Sequence, residues 1–265
     1  MLKETFGSKK PIVAMAHFPP LPGAPGHNIK KGMNHILDWA AADIEKLQAG
    51  GVDAIMFGNE GDRPYVLHAN PESLAAMAAA IGQLKALLKV PFGVNYLWDP
   101  VATVALGAAT GASFGREIFT GVYASDMGLW APKCAEALRL RHNLGCDDMK
   151  LMFNINAEFA APLDNRPIAK RASSAIFSSL ADIICVSGPM TGEAVDATDL
   201  RCVKDAVKNV PVFANTGVNI DNLRDILRIA DGCVIGTHFK KGGNTWNAVD
   251  GARVKRFMDA VRRLR

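Results

Sequence analysis

The 265-residue sequence predicts an α/β fold, a single (β/α)8 TIM barrel over residues 1–265, and three observations carry that expectation. Eight short β-prone runs, at 11–18, 52–59, 91–97, 113–119, 149–156, 182–187, 210–216 and 232–237, alternate with longer helical stretches, the pattern of βα units around a parallel sheet. Many runs are continuously apolar, as strands covered on both faces should be. Polar and small residues gather at their carboxyl ends, whereas the opposite ends begin with Pro11, Val52, Pro91 and Val210. In a barrel that asymmetry marks the carboxyl ends as the functional mouth. A dinucleotide fold would instead carry a glycine fingerprint after its first strand, and none follows here.

The first strand closes on His17 and runs into FPPLPGAPGHN, residues 18–28, with four prolines and two glycines. Proline lacks the N–H and fixes φ, so this is a stiff loop at the mouth, either a wall of the site or an inert cover. Gly50 and Gly51 stop the helix that follows. The second strand ends in Asn59 and Glu60, with Asp62 beyond. Asn70 before Pro71 opens a helix whose apolar face is Leu74, Met77, Ala78, Ile81, Leu84 and Leu88. Asn95, Trp98 and Asp99 end the third strand, and Pro100 starts the next helix. The fourth strand ends near Arg116 and Glu117; Ala131 and Pro132 then enter a helix that Gly145 stops. Lys150 opens the fifth strand, and Asn154, Asn156 and Glu158 end it. Ser187 and Gly188 follow the sixth, Asn215, Thr216 and Gly217 the seventh, Gly236 and Thr237 the eighth. The last helix has the stripe Val254, Phe257, Met258, Val261 and Leu264.

Composition narrows the function classes. The formal charge is +4 with 49% hydrophobic residues, and no basic block is interleaved with aromatics, so nucleic acid is not an expected partner. Five cysteines without metal-ligand spacing fit reduced thiols in a cytoplasmic protein. No stretch reaches the length of a membrane span, and MLKETFGSKK lacks the apolar core of a signal peptide.

The last two strand ends, ANTG and IGTHFKKGG, suit an anion held on backbone N–H groups, so Gly217, Gly236 and Thr237, with Gly188 and Lys240, are the expected phosphate contacts. His17, Glu60, Glu117 and Asp99 are the expected catalytic groups, and Asn59, Asn95, Asn154, Asn156, Ser187 and Asn215 the polar lining. Side chains alternate along a strand, so Arg116 and Glu117 point to opposite faces, and Glu117 is taken as inward. Lys150 sits at the wrong end for an imine-forming lysine. That leaves proton transfer by carboxylate or His, or a divalent cation held by His17 and carboxylates. Such a set serves isomerisation, epimerisation or retro-aldol cleavage of a phosphorylated sugar, or hydrolysis of an N-glycosidic bond in a phosphorylated nucleoside.

PIVAMAHFPPLPGAPG resembles the H-x-P-P-L-P-G-x-P opening of the BtpA/SgcQ family. The likeness continues in FGNEGDRPY, PFGVNYL, SGPMTGEAVD and VIGTHFKKGGNTWNAVDGARV, and so spans essentially the whole chain. The resemblance implies a TIM barrel like the ribulose-phosphate-binding barrels and a cytoplasmic protein, described variously as a photosystem I assembly factor or an enzyme of sugar metabolism. Where the family has roughly D-x-H-x-K-H at the fifth strand's end, this chain has Asn154, Asn156, Glu158 and Phe159, and so lacks the basic residues of that pattern. The family's N-D ending of the third strand is Trp98 and Asp99. The alternative expectation is a non-catalytic assembly or ligand-binding factor. Met33, Ile36, Leu37 and Trp39 form a broader apolar cluster than one core stripe needs, which points to a homo-oligomer.

Overall fold

The computed structural model describes residues 1–265. Eleven strands form: β1 (Ile12–His17), β2 (Ala54–Gly58), β3 (Phe92–Asn95), β4 (Phe114–Glu117), β5 (Tyr123–Ser125), β6 (Gly128–Trp130), β7 (Lys150–Asn154), β8 (Ala160–Pro162), β9 (Ile183–Val186), β10 (Val212–Ala214) and β11 (Gly232–Ile235). Eight of them close a parallel barrel in the order β1-β11-β10-β9-β7-β4-β3-β2, each inside one of the eight predicted runs. The helices are α1 (Leu2–Phe6), α2 (Gly32–Gly50), α3 (Pro71–Leu84), α4 (Pro100–Thr110), α5 (Cys134–Asn143), α6 (Ile168–Ser179), α7 (Ala197–Ala206), α8 (Leu223–Ile229) and α9 (Gly251–Leu264).

Apolar runs become barrel strands because both faces need cover, and every residue of β1, β2, β4, β9, β10 and β11 is buried. One parity of side chains packs against the helices in a large core. The other fills the barrel with Val13, Met15, Ala54, Met56, Phe114, Met152, Ile183, Phe213 and Val234. The amino end, read from sequence only as lacking a signal peptide, is the short helix α1, whose Phe6 plugs the barrel floor. Its ring lies 4.9 Å from that of Phe114 and 5.8 Å from that of Phe213.

Three aspartates stitch the floor by one repeated device. Asp53, Asp182 and Asp231 each stand one residue before a strand and accept the first free N–H of the preceding barrel strand, from Ile12 at 2.7 Å, Leu151 at 3.0 Å and Val212 at 2.9 Å. Each also meets a basic side chain, Arg265, Arg141 or Lys204. At the opposite end, the antiparallel sheet β6-β5-β8, which the sequence reading missed, is inserted beside the mouth.

The predicted homo-oligomer cluster on α2 is largely spent inside the fold. Ile36 is buried, and Met33 and Leu37 pack half-buried against the same core. No helix is long and apolar enough to cross a membrane.

Candidate functional site

The inward parity of β4 is set by Phe114 on the floor, so two residues on it is Arg116 that enters the barrel. Sequence parity had assigned Glu117 inward and Arg116 outward; the structure reverses the pair. The Arg116 guanidinium reaches across the lumen, donating from Nη1 to Asn215 Oδ1 at 2.8 Å and from Nη2 to Asn95 Oδ1. Asn95 Nδ2 donates in turn to Glu117 Oε1 at 2.8 Å, and Asn215 Nδ2 to Ser187 Oγ at 2.8 Å. A single chain of hydrogen bonds thus runs from β4 through β3 and back across to the ends of β10 and β9. Glu117, last in its strand, still lines the mouth, because its Oε2 is pinned at 2.5 Å by the N–H of Ile118.

His17 and Glu60 meet beside this chain, Nε2 to Oε1 at 3.4 Å. By distance this is an ion pair, but burial disfavours charge on both partners: it drives His17 well below its ordinary value and lifts Glu60 to about 7. Burial thus favours the uncharged imidazole at His17 and leaves Glu60 near the midpoint of its titration at neutral pH. Burial likewise raises Glu117 to about 8, and raises Glu158, whose Oε2 accepts from Thr191 Oγ1 at 2.5 Å. Three carboxyl groups and one guanidinium share one cleft with His17, Asn154, Asn215, Thr216, Gly217, Gly236 and Thr237. Several polar atoms in it are buried without a partner: His17 Nδ1, Glu60 Oε2, Arg116 Nε, Asn154 Oδ1 and Trp98 Nε1. An unpaired buried polar atom costs about 1–3 kcal/mol, so this end of the barrel carries a standing penalty that a ligand would relieve.

A second hollow continues from the cleft between the β10 and β11 loops, lined by Gly217, Asn219, Gly236, Thr237, His238 and Arg253. Gly217 has φ +62°, and a Cβ there would collide with the backbone of Glu193 and Ala194, so only glycine lets the β10 loop close against the loop after β9. Arg253 comes from α9, held by its Nε–H to His238 O at 2.7 Å.

Other expected site residues hold loops rather than face the cleft. Asp99 caps α4, accepting from Val101 and Ala102 N–H at 3.0 Å, and its second oxygen accepts from Ala69 N–H at 3.0 Å. Its placement as a catalytic carboxylate is corrected accordingly. Asn59 accepts from Leu97 N–H at 2.8 Å and donates to Asp62 at 3.1 Å. Asp62 accepts from Leu21 N–H at 2.7 Å, and a Cβ on Gly61 would strike the backbone of Phe18, Pro19 and Pro20. The proline loop is thereby locked onto the β2 loop as a wall. Asn156 pairs with the backbone of Ser187 through both amide atoms, and Gly188 N–H donates to Thr216 Oγ1. Lys240, expected at the phosphate, is fully buried against Asp43 at 3.1 Å, with Asp43 also accepting from Val249 N–H. A lysine five residues past the last strand reads as a ligand contact from sequence alone; the distant Asp43 on α2 that claims it does not show in the spacing.

No group of three or more His, Cys, Asp or Glu side chains stands in metal-holding geometry, so the expected cation would have only His17 and Glu60 as close protein donors. Lys150 lies at the floor end of β7. The sequence reading missed Arg116 as the centre of the lumen, Glu158 as a buried carboxyl, Arg253, and the aromatic side of the cleft formed by Tyr65, Trp98 and Phe159. Only Arg116 left a usable signal, its parity with Phe114.

The BtpA family profile matches residues 8–263. The sgc region protein SgcQ of Escherichia coli (strain K12) is 48% identical over 264 residues, covering 100% of this chain and 98% of that protein. The photosystem I biogenesis protein BtpA of Synechocystis sp. is 31% identical, covering 98% of this chain and 91% of that one. Among solved structures, (S)-3-O-geranylgeranylglyceryl phosphate synthase from Thermoplasma acidophilum, in complex with sn-glycerol-1-phosphate, superposes with a TM-score of 0.60 at 14% identity, covering 99% of this chain and 97% of that one. At that identity the likeness establishes the barrel fold alone.

Proposed function

The chain belongs to the BtpA family, and on that premise we propose that it is an enzyme acting on a small phosphorylated sugar or nucleoside-derived ligand by carboxylate and histidine acid–base chemistry, of isomerase, epimerase or lyase type. The observation that carries the reading is the set of buried carboxyls around Arg116, with Glu60 near 7 and Glu117 near 8, in a cleft that opens onto two glycine loops. A group that titrates near working pH can both take and return a proton, which is what proton abstraction and redelivery require. Glu60, partnered by neutral His17, is the proposed base; Glu117, protonated at neutral pH, the proposed acid. Arg116 is the cation that would face negative charge developing on a substrate oxygen. Gly217, Gly236 and Thr237, with Arg253 beside them, are the proposed phosphate cradle, in keeping with a neighbouring fold that was solved with sn-glycerol-1-phosphate. A metal-assisted variant would use His17 and Glu60, and loss of activity on chelation identifies it.

The test is Gly236→Asp. The new carboxylate would face the anion, and a Cβ at this position approaches the His17 ring at 3.3 Å. Phosphorylated ligands such as ribose 5-phosphate should bind at least tenfold more weakly, about 1.4 kcal/mol. Unchanged affinity removes the cradle.

The expected homo-oligomer draws on one observation: Phe177 on α6 is 90% exposed, with Leu180 beside it at 64%. We assign that patch to a homo-oligomer contact of a cytoplasmic single-domain barrel. Phe177→Ser should then shift the mass in solution toward the monomer, and an unchanged mass would refute the contact.

A further inference from the structure

The cleft has two unlike sides. In the barrel order, β3 stands three strands from β11 in one direction and four from β10 in the other, so residues following β3 face the glycine loops across the mouth. On the β3 side stands Trp98, 4% exposed, with three rings set edge-on around it: Trp130 at 5.3 Å, Tyr65 at 5.9 Å and Phe159 at 6.4 Å between centroids. Interplanar angles of 71° to 86° are the favourable edge-to-face geometry. Trp130 is delivered by the inserted sheet, with Tyr123 packed behind it at 5.5 Å. Tyr65, Trp98 and Phe159 line the cleft itself.

Two features go beyond what packing needs. Phe159 holds φ +57°, a left-handed conformation that costs a bulky residue on the order of 1 kcal/mol or more, yet it keeps its ring at the cleft. Trp98 Nε1–H is buried with no acceptor. Indole N–H groups usually find a partner when buried, so this donor is left for something absent from the chain itself.

Resting on the phosphate reading above, we propose that this side of the mouth is a subsite for a planar heteroaromatic ring with one hydrogen-bond acceptor, so that the ligand is a phosphorylated compound carrying such a ring at the end remote from its phosphate. A bare sugar phosphate fits the wall poorly. It bears a hydroxyl on nearly every carbon and would need a polar partner for each, whereas the wall offers only the indole N–H and the Tyr65 hydroxyl, which already donates to Glu60 O at 3.1 Å. A ring of heterocyclic type buries a face against this aromatic wall, and its one acceptor satisfies the indole.

The experiment is calorimetric titration of the full chain with inorganic phosphate, ribose 5-phosphate, uridine, and uridine and adenosine 5′-monophosphates. The nucleoside monophosphates should bind at least tenfold tighter than ribose 5-phosphate. In Phe159→Leu that advantage should shrink to under threefold while ribose 5-phosphate affinity stays put. Trp98→Leu should do the same; Phe159 is less buried, so its variant carries the test should Trp98→Leu not fold. Equal affinities in the wild type, or variants that weaken both ligands alike, overturn the ring subsite and leave the anion cradle standing. Binding of uridine without any binding of phosphates upholds the subsite and overturns the cradle. If no compound binds, both fall.

Discussion

The floor and the mouth of this barrel are built from the same strands and treat polar groups differently: five buried side-chain atoms without a partner line the mouth cleft, whereas Arg141 Nε is the one that belongs to the floor's aspartate pairs. On the floor, Asp53, Asp182 and Asp231 are each satisfied twice, by a strand N–H and by a basic side chain. At the mouth, His17, Glu60, Arg116, Asn154 and Trp98 each keep a buried atom unpaired. The change occurs within one step of the strand period: Phe114 gives way to Arg116, Met152 to Asn154, Phe213 to Asn215, Met15 to His17. Saturation of hydrogen bonds stabilises, and its deliberate absence leaves groups ready for a ligand. On the proposed function, stability and chemistry are separated along the barrel axis, and mutations at the two ends should have effects of different kinds.

The largest effect is expected on the floor. Phe114 is fully buried between Phe6 and the interior layer, so Phe114→Ala should cost about 3–5 kcal/mol of unfolding free energy by chemical denaturation. Ligand affinity of the fraction that remains folded should hold. Lost affinity at unchanged stability would contradict the division.

At the mouth the order reverses. Glu60→Gln keeps shape and removes a charge the folded state already disfavours, so the thermal midpoint should stay level or rise. Turnover of the identified substrate should fall at least a hundredfold, on the order of 3 kcal/mol of transition-state stabilisation. Full activity in this variant would reduce Glu60 to a loop-holding residue.

The third expectation concerns pH. Burial raises Glu117 from 4.5 to about 8, so the folded state holds a proton that the unfolded chain has released. The stability this confers is complete below about 4.5 and is lost as pH rises through 8. The depressed His17 works the other way, but only up to its ordinary value near 6.5. From pH 6.5 to 8 the wild type should therefore lose stability relative to Glu117→Gln by about 2 kcal/mol, one proton across roughly 1.5 pH units. Parallel stability curves would mean that Glu117 is ionised throughout.

All eight barrel strands were legible, because apolar runs of four to eight residues between helical stretches have few other uses. The inserted sheet was not: Tyr123–Ser125, Gly128–Trp130 and Ala160–Pro162 are three residues each, and one contains proline. Nor was α1, a five-residue helix whose role rests on Phe6, with Leu2 packed half-buried against the same interior cluster. For the site, position at a strand end was readable, but which way a side chain turns there was not. Arg116 and Glu117 were inverted because parity was judged from the pair in isolation, whereas Phe114 two residues earlier sets the inward face. Lys240 and Asp99 misled for a related reason. Each has a partner the spacing cannot reveal, Asp43 for one and the Ala69 N–H for the other.

Asp99 gives the smallest and most discriminating test. Its carboxylate has its place both as the last acid after β3, in a ring of mouth residues, and as the N-cap of α4. The geometry favours the cap, with one oxygen accepting from two first-turn N–H groups and the other tying down Ala69. Removing a cap side chain costs about 0.5–2 kcal/mol. Asp99→Ala should therefore lower the unfolding free energy by that amount, while Asp99→Asn, which keeps an oxygen for the cap, should recover most of it. Both variants should retain turnover within a few fold of wild type, unlike Glu60→Gln. If Asp99→Asn is as stable as wild type but inactive, the charge itself is needed at the mouth, and the line drawn between structural and chemical carboxylates has to move past β3 to include it.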